Sequence, residues 1–308
     1  MIDVLLLGNG AMVPLPDRAL SALLMRVNGS LVLFDCGEGT QVQMRKFHWG
    51  FRNLDAICLS HLHADHVAGL PGLFHTVANA GRTDPMHIYG PTGTIAVVQG
   101  LRVIADWLPY DMVIHELDDG DEFDLVSGVR ASVRLGMHRV TCLGWRIAVE
   151  RAPAFLPDKA RALGVPQSSW SRLQAGEPVV VDGATVAPAD VTGPPRRGVS
   201  LGFVTDTRVT PELREFVTGV DLLVCESTYG LVEDIEKASE WGHMTLNQAC
   251  AFAAEAEVGR LWLTHFGGTI DDPVALAPVA RSLFPNAEIG VPGLTTTLSF
   301  PPAESPNG

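Results

Sequence analysis

The sequence lacks the long apolar run that a membrane span needs and the basic charge that general binding to a nucleic-acid backbone needs. No apolar run in its 308 residues is long enough to cross a bilayer. The N-terminal MIDVLLLGNG lacks the basic lead of a secretion signal and is better explained as a strand. Lysine is scarce, with three residues against nineteen arginines, and the net charge is −13. Because phosphate recognition uses basic surface, this balance argues against a general polyanion binder.

Cysteine is also scarce, and its spacing shows no pairs. The five cysteines are Cys36, Cys58, Cys142, Cys225 and Cys250. Their number is odd, and most of them lie in apolar, strand-like stretches. We therefore expect buried, reduced thiols in a cytoplasmic protein with no membrane association, and no disulfide framework.

The order of apolar runs predicts a mixed α/β fold. Short β-rich runs and tight turns fill the first third, and three apolar strands, GVSLGFVTD, DLLVCEST and GRLWLTHFG, follow later. Helices are expected near residues 38–47, 94–107, 210–217 and 245–257. The helical spacing of VAGLPGLFHTVANA is interrupted by Pro71-Gly72.

The domain organisation is expected to be simple. From about 151 to 198 the pattern loosens, with several prolines and only a short helix near 158–163. No composition shift or repeat divides the chain, so we expect one domain over residues 1–308. The end of the chain, FPPAESPNG, predicts a flexible tail at about 301–308.

Metal-ligand residue types cluster in SHLHADH, residues 60–66, directly after an apolar strand. This loop contains four candidate ligands, His61, His63, Asp65 and His66. Imidazole and carboxylate suit zinc and neighbouring first-row metals. Because a short loop rarely closes around one ion, two ions that share the loop and take ligands from distant strands are the more natural geometry.

Three further candidates follow other apolar strands, namely His138, Asp206 and His265. Each alone could be an ordinary polar residue at a strand end. Together with the SHLHADH loop they favour a metal site, and a carboxylate at Asp206 could bridge two ions.

HLHADH matches the HxHxDH signature of the metallo-β-lactamase superfamily, and longer segments resemble one of its families. LFDCGEGTQVQM, HADHVAGLPGLF, GPPRRGVSLGFVTDTR and GHMTLNQA are similar, in order, to segments of ribonuclease Z, the transfer-RNA 3′-processing endonucleases. The similarity spans nearly the whole chain. It implies a four-layer αββα sandwich with a metal pair at one edge of its sheets, an α/β (α+β) fold with an inserted substrate arm at about 151–198.

The resemblance also implies a ligand set for two Zn²⁺ ions per subunit. One zinc would take His61, His63 and His138, and the other Asp65, His66 and His265. Asp206 would bridge the two ions. Manganese or iron could take the place of zinc, because both accept these ligands.

Three residues have implied catalytic roles. Asp65 would accept a proton from the attacking water as well as bind metal. His243, in GHMTLNQA, would protonate the leaving ribose oxygen, and Glu226, which ends DLLVCE, would orient His243. Asp35, in LFDCGEG, is expected to orient a ligand or its loop, and Thr245 to cap the helix that begins near Leu246.

The four remaining histidines have no partner in the pattern, and we treat them as structural: His48, His75, His87 and His115. Of these, His75 lies close enough to the predicted site along the chain to touch substrate.

The segment from 151 to 198 departs from the family pattern. GVPQSSW stands where the family has a Gly-Pro tip among basic residues, and the charge of the segment is nearly balanced. Such an arm grips a polyanion weakly, which together with the acidic total weakens the expectation that the RNA substrate, pre-tRNA, binds there.

Three functions therefore stay open. The first is endonucleolytic removal of 3′ trailers from pre-tRNA by metal-activated hydroxide, in the homodimer that the resemblance implies. The second is a phosphodiesterase of the same fold that acts on a cyclic nucleotide or short oligonucleotide. The third is a non-catalytic metal-binding relative.

Overall fold

Two seven-stranded sheets form the centre of the fold. The structure, a computed structural model, describes residues 1–230 and 232–301. Strands are numbered in chain order. The first sheet contains β1 (Ile2–Gly8), β2 (Ala22–Val27), β3 (Ser30–Phe34), β4 (Leu54–Cys58), β5 (Met86–Pro91), β6 (Met112–Leu117) and β16 (Thr295–Leu298). The second contains β7 (Glu122–Val126), β8 (Val129–Leu135), β9 (Leu143–Arg151), β12 (Arg196–Val204), β13 (Leu222–Glu226), β14 (Leu261–Thr264) and β15 (Ala287–Ile289). A separate hairpin pairs β10 (Val179–Val181) with β11 (Ala184–Val186).

Each large sheet is half antiparallel and half parallel. The first has the order β16-β1-β2-β3-β4-β5-β6, antiparallel as far as β3 and parallel from β3 to β6. The second has the order β15-β14-β13-β12-β9-β8-β7, parallel from β12 to β15 and antiparallel from β7 to β9. Parallel strands end at the same edge of a sheet, so the loops after β12, β13 and β14 lie side by side.

Ten α-helices occur in the described part of the chain. They are α1 (Thr40–Lys46), α2 (Ala64–Val67), α3 (Leu70–Asn79), α4 (Thr94–Arg102), α5 (Pro157–Ala162), α6 (Trp170–Gln174), α7 (Pro211–Val217), α8 (Ile235–Trp241), α9 (Leu246–Glu255) and α10 (Ala277–Leu283). Short 3-10 helices lie at Gln167–Ser169, Pro188–Val191, Val232–Asp234 and Pro273–Leu276. Over residues 1–230 and 232–301, none of the helices has the length and apolarity needed to span a bilayer.

The two large sheets pack face to face, with helices on both outer sides. The ring of Phe34 on β3 lies 6.1 Å from that of Trp145 on β9 and 5.6 Å from that of Phe203 on β12, centroid to centroid. Helices α1, α3 and α4 share a buried apolar cluster with the first sheet, and α7, α9 and α10 share another with the second. The four-layer αββα arrangement expected from the sequence is therefore confirmed.

The chain divides into two compact units. One comprises Met1–Val149 with Val199–Ser299 and contains both large sheets. The other comprises Glu150–Gly198 with the end of the chain from Phe300. It has a small apolar cluster of its own: Ala160, Val165, Leu173, Val179, Val186 and Val191. Apart from Pro301, the tail expected at 301–308 lies outside the described residues.

Three local expectations need correction. Pro71 does not interrupt a helix, because it lies in the first turn of α3, where the missing N–H has no helical partner. Helix α4 ends at Arg102 and not near Trp107, as the β-branched Val103 and Ile104 that follow are poor helix formers. Finally, α6 and the β10–β11 hairpin lie in a segment where only α5 was expected.

Candidate metal centre

The seven predicted ligands meet at one edge of the two sheets. The loop after β4 and helix α2 together carry four of them, and His138, Asp206 and His265 follow β8, β12 and β14. Ligand atoms of His61, His63, His138 and Asp206 all lie within 4.8 Å of one another, as do those of Asp65, His66 and His265. Asp206, His243 and His265 form a third, overlapping group. The first two groups match the sets implied by the resemblance, with Asp206 between them.

Acceptor groups fix which ring nitrogen of two ligand histidines carries the proton. Nδ1 of His66 lies 2.7 Å from Oδ2 of Asp35, and Nδ1 of His138 lies 3.0 Å from the carbonyl oxygen of Gly242. A carboxylate and a carbonyl only accept hydrogen bonds, so both Nδ1 atoms must donate. Nε2 of each ring then presents a lone pair to the centre. Nε2 of His138 is buried and has no hydrogen-bond partner among the described residues.

The hydroxyl of Ser60 extends the same arrangement to His61. Oγ of Ser60 lies 2.9 Å from Oδ2 of Asp35, to which it donates, and 3.1 Å from Nδ1 of His61. Because the hydroxyl proton is directed to the carboxylate, the oxygen accepts from Nδ1. His61 is thereby held with its Nε2 lone pair toward the centre, 2.9 Å from Nδ1 of His63.

Thr228 does the same for His265 on the other side of the centre. Its Oγ1 donates to Oε2 of Glu226 at 2.6 Å and accepts from Nδ1 of His265 at 3.0 Å. The network therefore orients four imidazoles, those of His61, His66, His138 and His265, with Nε2 toward one space.

The ring nitrogens of the predicted ligands converge on one small space. Nε2 of His66 and Nε2 of His265 lie 3.1 Å apart, and two lone pairs at that distance repel. Oδ1 of Asp206 approaches the same two nitrogens at 3.4 and 3.1 Å. Its Oδ2 lies on the other side, 3.6 Å from Nε2 of His61 and 3.9 Å from Nε2 of His138. Such a set of acceptors fits a divalent metal ion.

Buried negative charge leads to the same conclusion. The four carboxylates of the site, Asp35, Asp65, Asp206 and Glu226, are all buried. Burial alone would lower the pKa of His66, but the charges of Asp206 and Asp35 outweigh it and raise that pKa well above its usual value. Burial would raise the pKa of Asp65, yet the adjacent imidazoles of His265 and His66 hold it well below the usual range. The site therefore demands positive charge, which divalent metal supplies.

Three residues of the site adopt a left-handed backbone that side chains rarely favour. Asp35, Asp206 and His265 have φ of 56°, 48° and 56°. Asp tolerates this region better than most residues, and a histidine there costs roughly 1–3 kcal/mol. Each follows a buried strand, and the left-handed backbone turns its side chain directly toward the centre. The backbone strain is therefore part of how the site is built.

Comparison with known proteins agrees with this geometry. The sequence profile of the Beta-lactamase superfamily domain matches residues 31–194 and 191–266. The chain is 41% identical over 300 residues to ribonuclease Z of Lachnoclostridium phytofermentans, covering 97% of this chain and 99% of that one. It is 42% identical over 306 residues to ribonuclease Z of Clostridium beijerinckii, with the same coverage. The chain belongs to the ribonuclease Z family. The crystal structure of human tRNase Z, short form, has the same fold, with a TM-score of 0.70 at 24% identity over 97% of this chain and 99% of that one.

The predicted acid, His243, lies beside the ligands in this ribonuclease Z family member. Its Nδ1 is 3.2 Å from both carboxylate oxygens of Glu226 and 4.0 Å from Oδ2 of Asp206. Burial would lower the pKa of His243, but the charge of Glu226 and its hydrogen bond raise it to about 9. His243 therefore holds a proton at neutral pH. It also appears in the third group of possible ligands, with Asp206 and His265, because it lies at the edge of the centre.

The supporting residues singled out in the sequence have the expected contacts. Asp35 holds His66, as described above, and Thr245 caps α9 by accepting from the N–H of Gln248 at 3.3 Å. The remaining histidines are engaged elsewhere: His75 contacts the carbonyl of Ile104, and His87 contacts His115. None of these three lines the cavity beside the ligands.

That cavity, of about 660 Å³, contains residues that the sequence did not reveal. Besides the ligands it is lined by Met12, Arg139, Tyr229, Lys237 and Trp241. The supporting Ser60 and Thr228 were also missed. One signal could have found Thr228: it follows Glu226 by two residues at the end of β13, where polar side chains point to the same edge as Asp206 and His265.

Proposed function

We propose that this chain is a metal-dependent phosphodiester hydrolase that removes 3′ trailers from pre-tRNA by endonucleolytic cleavage. The observation that carries the proposal is the pair of ligand groups on either side of Asp206, next to the His243–Glu226 pair. A metal pair with a proton donor beside it is suited to an in-line displacement at a phosphodiester. Identity of about 40% to ribonuclease Z proteins over nearly the whole chain supports the substrate.

We assign the ligands to two zinc ions. His61, His63 and His138 would hold one, Asp65, His66 and His265 the other, and Asp206 would be shared. The two carboxylate oxygens of Asp206 point to different groups, Oδ2 toward His61 and Oδ1 toward His265, and this supports the sharing. When bound, such a pair neutralises phosphate charge and lowers the pKa of water to about 7. Manganese or iron fits the same ligands.

The chain's own groups position the reaction and move its protons. Asp65 stays ionised at neutral pH, because its pKa is held low, and is available to accept the proton of the attacking water. His243 carries a proton and would deliver it to the leaving ribose oxygen. Glu226 keeps His243 in the charged form and in a fixed orientation.

The larger organisation is also part of the proposal. The two units would act as one metallo-β-lactamase-fold domain, in which residues 151–198 serve as the substrate arm. A homodimer in the cytoplasm is the working form that the family resemblance suggests. Five buried thiols are consistent with a reducing compartment.

A second candidate, hydrolysis of a small phosphodiester such as a cyclic nucleotide or short oligonucleotide, is favoured by one observation. In the arm, Arg161 pairs with Asp158 at 2.7 Å and Arg172 with Glu177 at 3.1 Å. Cations neutralised in this way contribute little to binding a phosphate backbone.

The decisive experiment offers purified protein a 3′-extended pre-tRNA and a small diester reporter in parallel. We expect pre-tRNA to be cut with the higher kcat/KM, at the 3′ side of the acceptor stem. Hydrolysis of the reporter alone would support the second candidate. Two variants separate metal binding from acid catalysis: His63→Ala should lose metal and hydrolysis, and His243→Ala should keep metal and lose most turnover.

A further inference from the structure

An exposed aromatic side chain and a cation form a stacked pair inside the cavity beside the metal centre. Trp241 is 44% exposed, and the guanidinium carbon of Arg139 lies 4.4 Å from the centroid of its ring. Both residues line the same cavity as His138 and His243. In the sequence, Arg139 directly follows His138, and Trp241 precedes His243 by two residues. Arg139 is therefore the chain neighbour of a predicted ligand, and Trp241 lies two residues from the predicted acid.

The backbone fixes the position of this pair relative to the ligands. Helix α8 ends at Trp241, and the next residue, Gly242, accepts the Nδ1 hydrogen bond of His138 through its carbonyl oxygen at 3.0 Å. The indole is thus carried by the residue directly before the glycine whose carbonyl orients His138. A tryptophan with so large an exposed fraction adds little to the core, and this one lines the cavity beside the predicted ligands, so part of its ring is available to a bound molecule.

The cavity also contains a second cation besides Arg139. Lys237, one of only three lysines, lines it with its Nζ 5.4 Å from the centroid of the Tyr229 ring. Two cations and two aromatic rings therefore border the metal ligands. This combination recognises a ligand that is both anionic and aromatic, which among phosphodiesters means a nucleotide.

We propose that Trp241 and Arg139 form the subsite for a nucleotide next to the scissile phosphate. The base stacks on the exposed part of the indole, and the N–H groups of Arg139 pair with a flanking phosphate. The inference rests on the proposed function and narrows its substrate class to nucleotide diesters. Since every base has a π-face, the subsite accepts any base while it discriminates against an abasic or alkyl diester.

The test compares an intact 3′-extended pre-tRNA with versions that carry one abasic residue on either side of the cut. Trp241→Ala should raise KM for the intact RNA by about 5- to 150-fold, the loss expected for one base stack, with little change in kcat. In the wild type, one abasic position should cause the same loss, and Trp241→Ala should add nothing further there. Trp241→Phe should restore most of the affinity.

Two controls separate the subsite from a general effect on folding or metal. Trp107→Ala removes another exposed tryptophan, 74% exposed and outside the cavity lining, and should leave KM unchanged. The metal content of Trp241→Ala should equal that of the wild type by elemental analysis. Equal losses on intact and abasic RNA, or lost metal in Trp241→Ala, would overturn the subsite.

Arg139 gives a second, independent readout. Arg139→Ala should lower the slope of log kcat/KM against log salt by about one phosphate contact, and Trp241→Ala should not. An unchanged slope in Arg139→Ala contradicts the phosphate contact.

If the wild-type protein does not cut pre-tRNA, the proposed function is refuted, but the subsite is not. The subsite is then tested with a nucleoside 5′-p-nitrophenyl phosphate against methyl p-nitrophenyl phosphate. Trp241→Ala should impair only the nucleoside substrate, and equal impairment of both rejects the subsite.

Discussion

Thr228 shows how a single hydroxyl can connect a predicted metal ligand to a buried carboxylate. It accepts from Nδ1 of His265 and donates to Glu226, and it is itself buried. Thr228→Val keeps the shape but leaves Nδ1 of His265 without its acceptor. We expect metal affinity to fall roughly 10- to 100-fold, the usual effect of removing a partner of a ligand histidine. Competition with a chelator, followed by elemental analysis, measures it.

Thr228→Ser is the matched control for that prediction, because it retains the hydroxyl and removes only a methyl group. It should bind metal nearly as tightly as the wild type. If Thr228→Val and Thr228→Ser bind metal equally well, the hydroxyl does not hold His265.

Glu226 should set the alkaline limit of activity. Its charge and hydrogen bond raise the pKa of His243 to about 9, so the acid keeps its proton until the pH rises through that value. In Glu226→Gln the pKa of His243 should fall, and the basic limb of the kcat profile should move to lower pH. The measurement is a pH–rate profile with saturating metal.

The shape of that profile is informative even though Glu226→Gln should also destabilise the fold. Glu226 accepts the N–H of Thr207 on Oε1 and that of Met244 on Oε2, and a glutamine keeps only one acceptor oxygen, so one of these hydrogen bonds is lost. Thermal unfolding reports this loss separately. A basic limb at the same pH in both proteins would show that Glu226 does not tune His243.

At the scale of elements, the junction between α8 and α9 packs tightly against a predicted ligand. Gly242 ends α8 with φ of 76°, and a Cβ there would lie 3.0 Å from both Cα and Nδ1 of His138. Gly242→Ala should therefore displace His138 in addition to the roughly 1–2 kcal/mol that a left-handed alanine costs. We expect weaker metal binding together with a lower melting temperature.

Gly81, just after α3, provides the control. It has φ of 79°, and a Cβ there meets nothing within 4 Å. Gly81→Ala should lower the melting temperature through backbone strain alone and leave metal affinity unchanged. Similar metal affinity in Gly242→Ala and Gly81→Ala would mean that contact with His138 is unimportant.

The same elements explain what the sequence could and could not predict. The last residues of strands β4 and β12, and nearly all of β13 and β14, are apolar and buried, and polar residues follow at each strand end. Those signals led to Asp206, Glu226 and His265. The pairing of Arg139 with Trp241 has no such signal, since two exposed residues about a hundred positions apart meet only through the Gly242–His138 contact. In the same way, α6 and the β10–β11 hairpin are too short for periodicity to reveal them.

At the scale of the whole molecule, the proposed substrate arm predicts that substrate binding and chemistry can be separated by altering the second unit alone. It has its own apolar cluster, and within it the N–H of Gly193 donates to the carbonyl of Ala154 at 2.8 Å, so its two ends are close together. Removing only residues 154–180 would take away β10 and leave β11 without its partner. Replacing residues 155–192 with a short glycine-serine linker removes α5, α6 and the hairpin together and leaves both large sheets complete.

This replacement should distinguish an RNA arm from a purely structural insertion. The predicted ligands, His243 and Glu226 all belong to the other unit, so hydrolysis of a small diester should stay within a few-fold of the wild type. Cleavage of pre-tRNA should be lost, because contacts far from the cut supply much of the affinity for a large RNA. Equal metal content in both proteins is the control. If pre-tRNA is still cut at the wild-type rate, residues 155–192 do not bind the substrate. If small-diester hydrolysis is lost while metal is retained, the segment supports the centre itself.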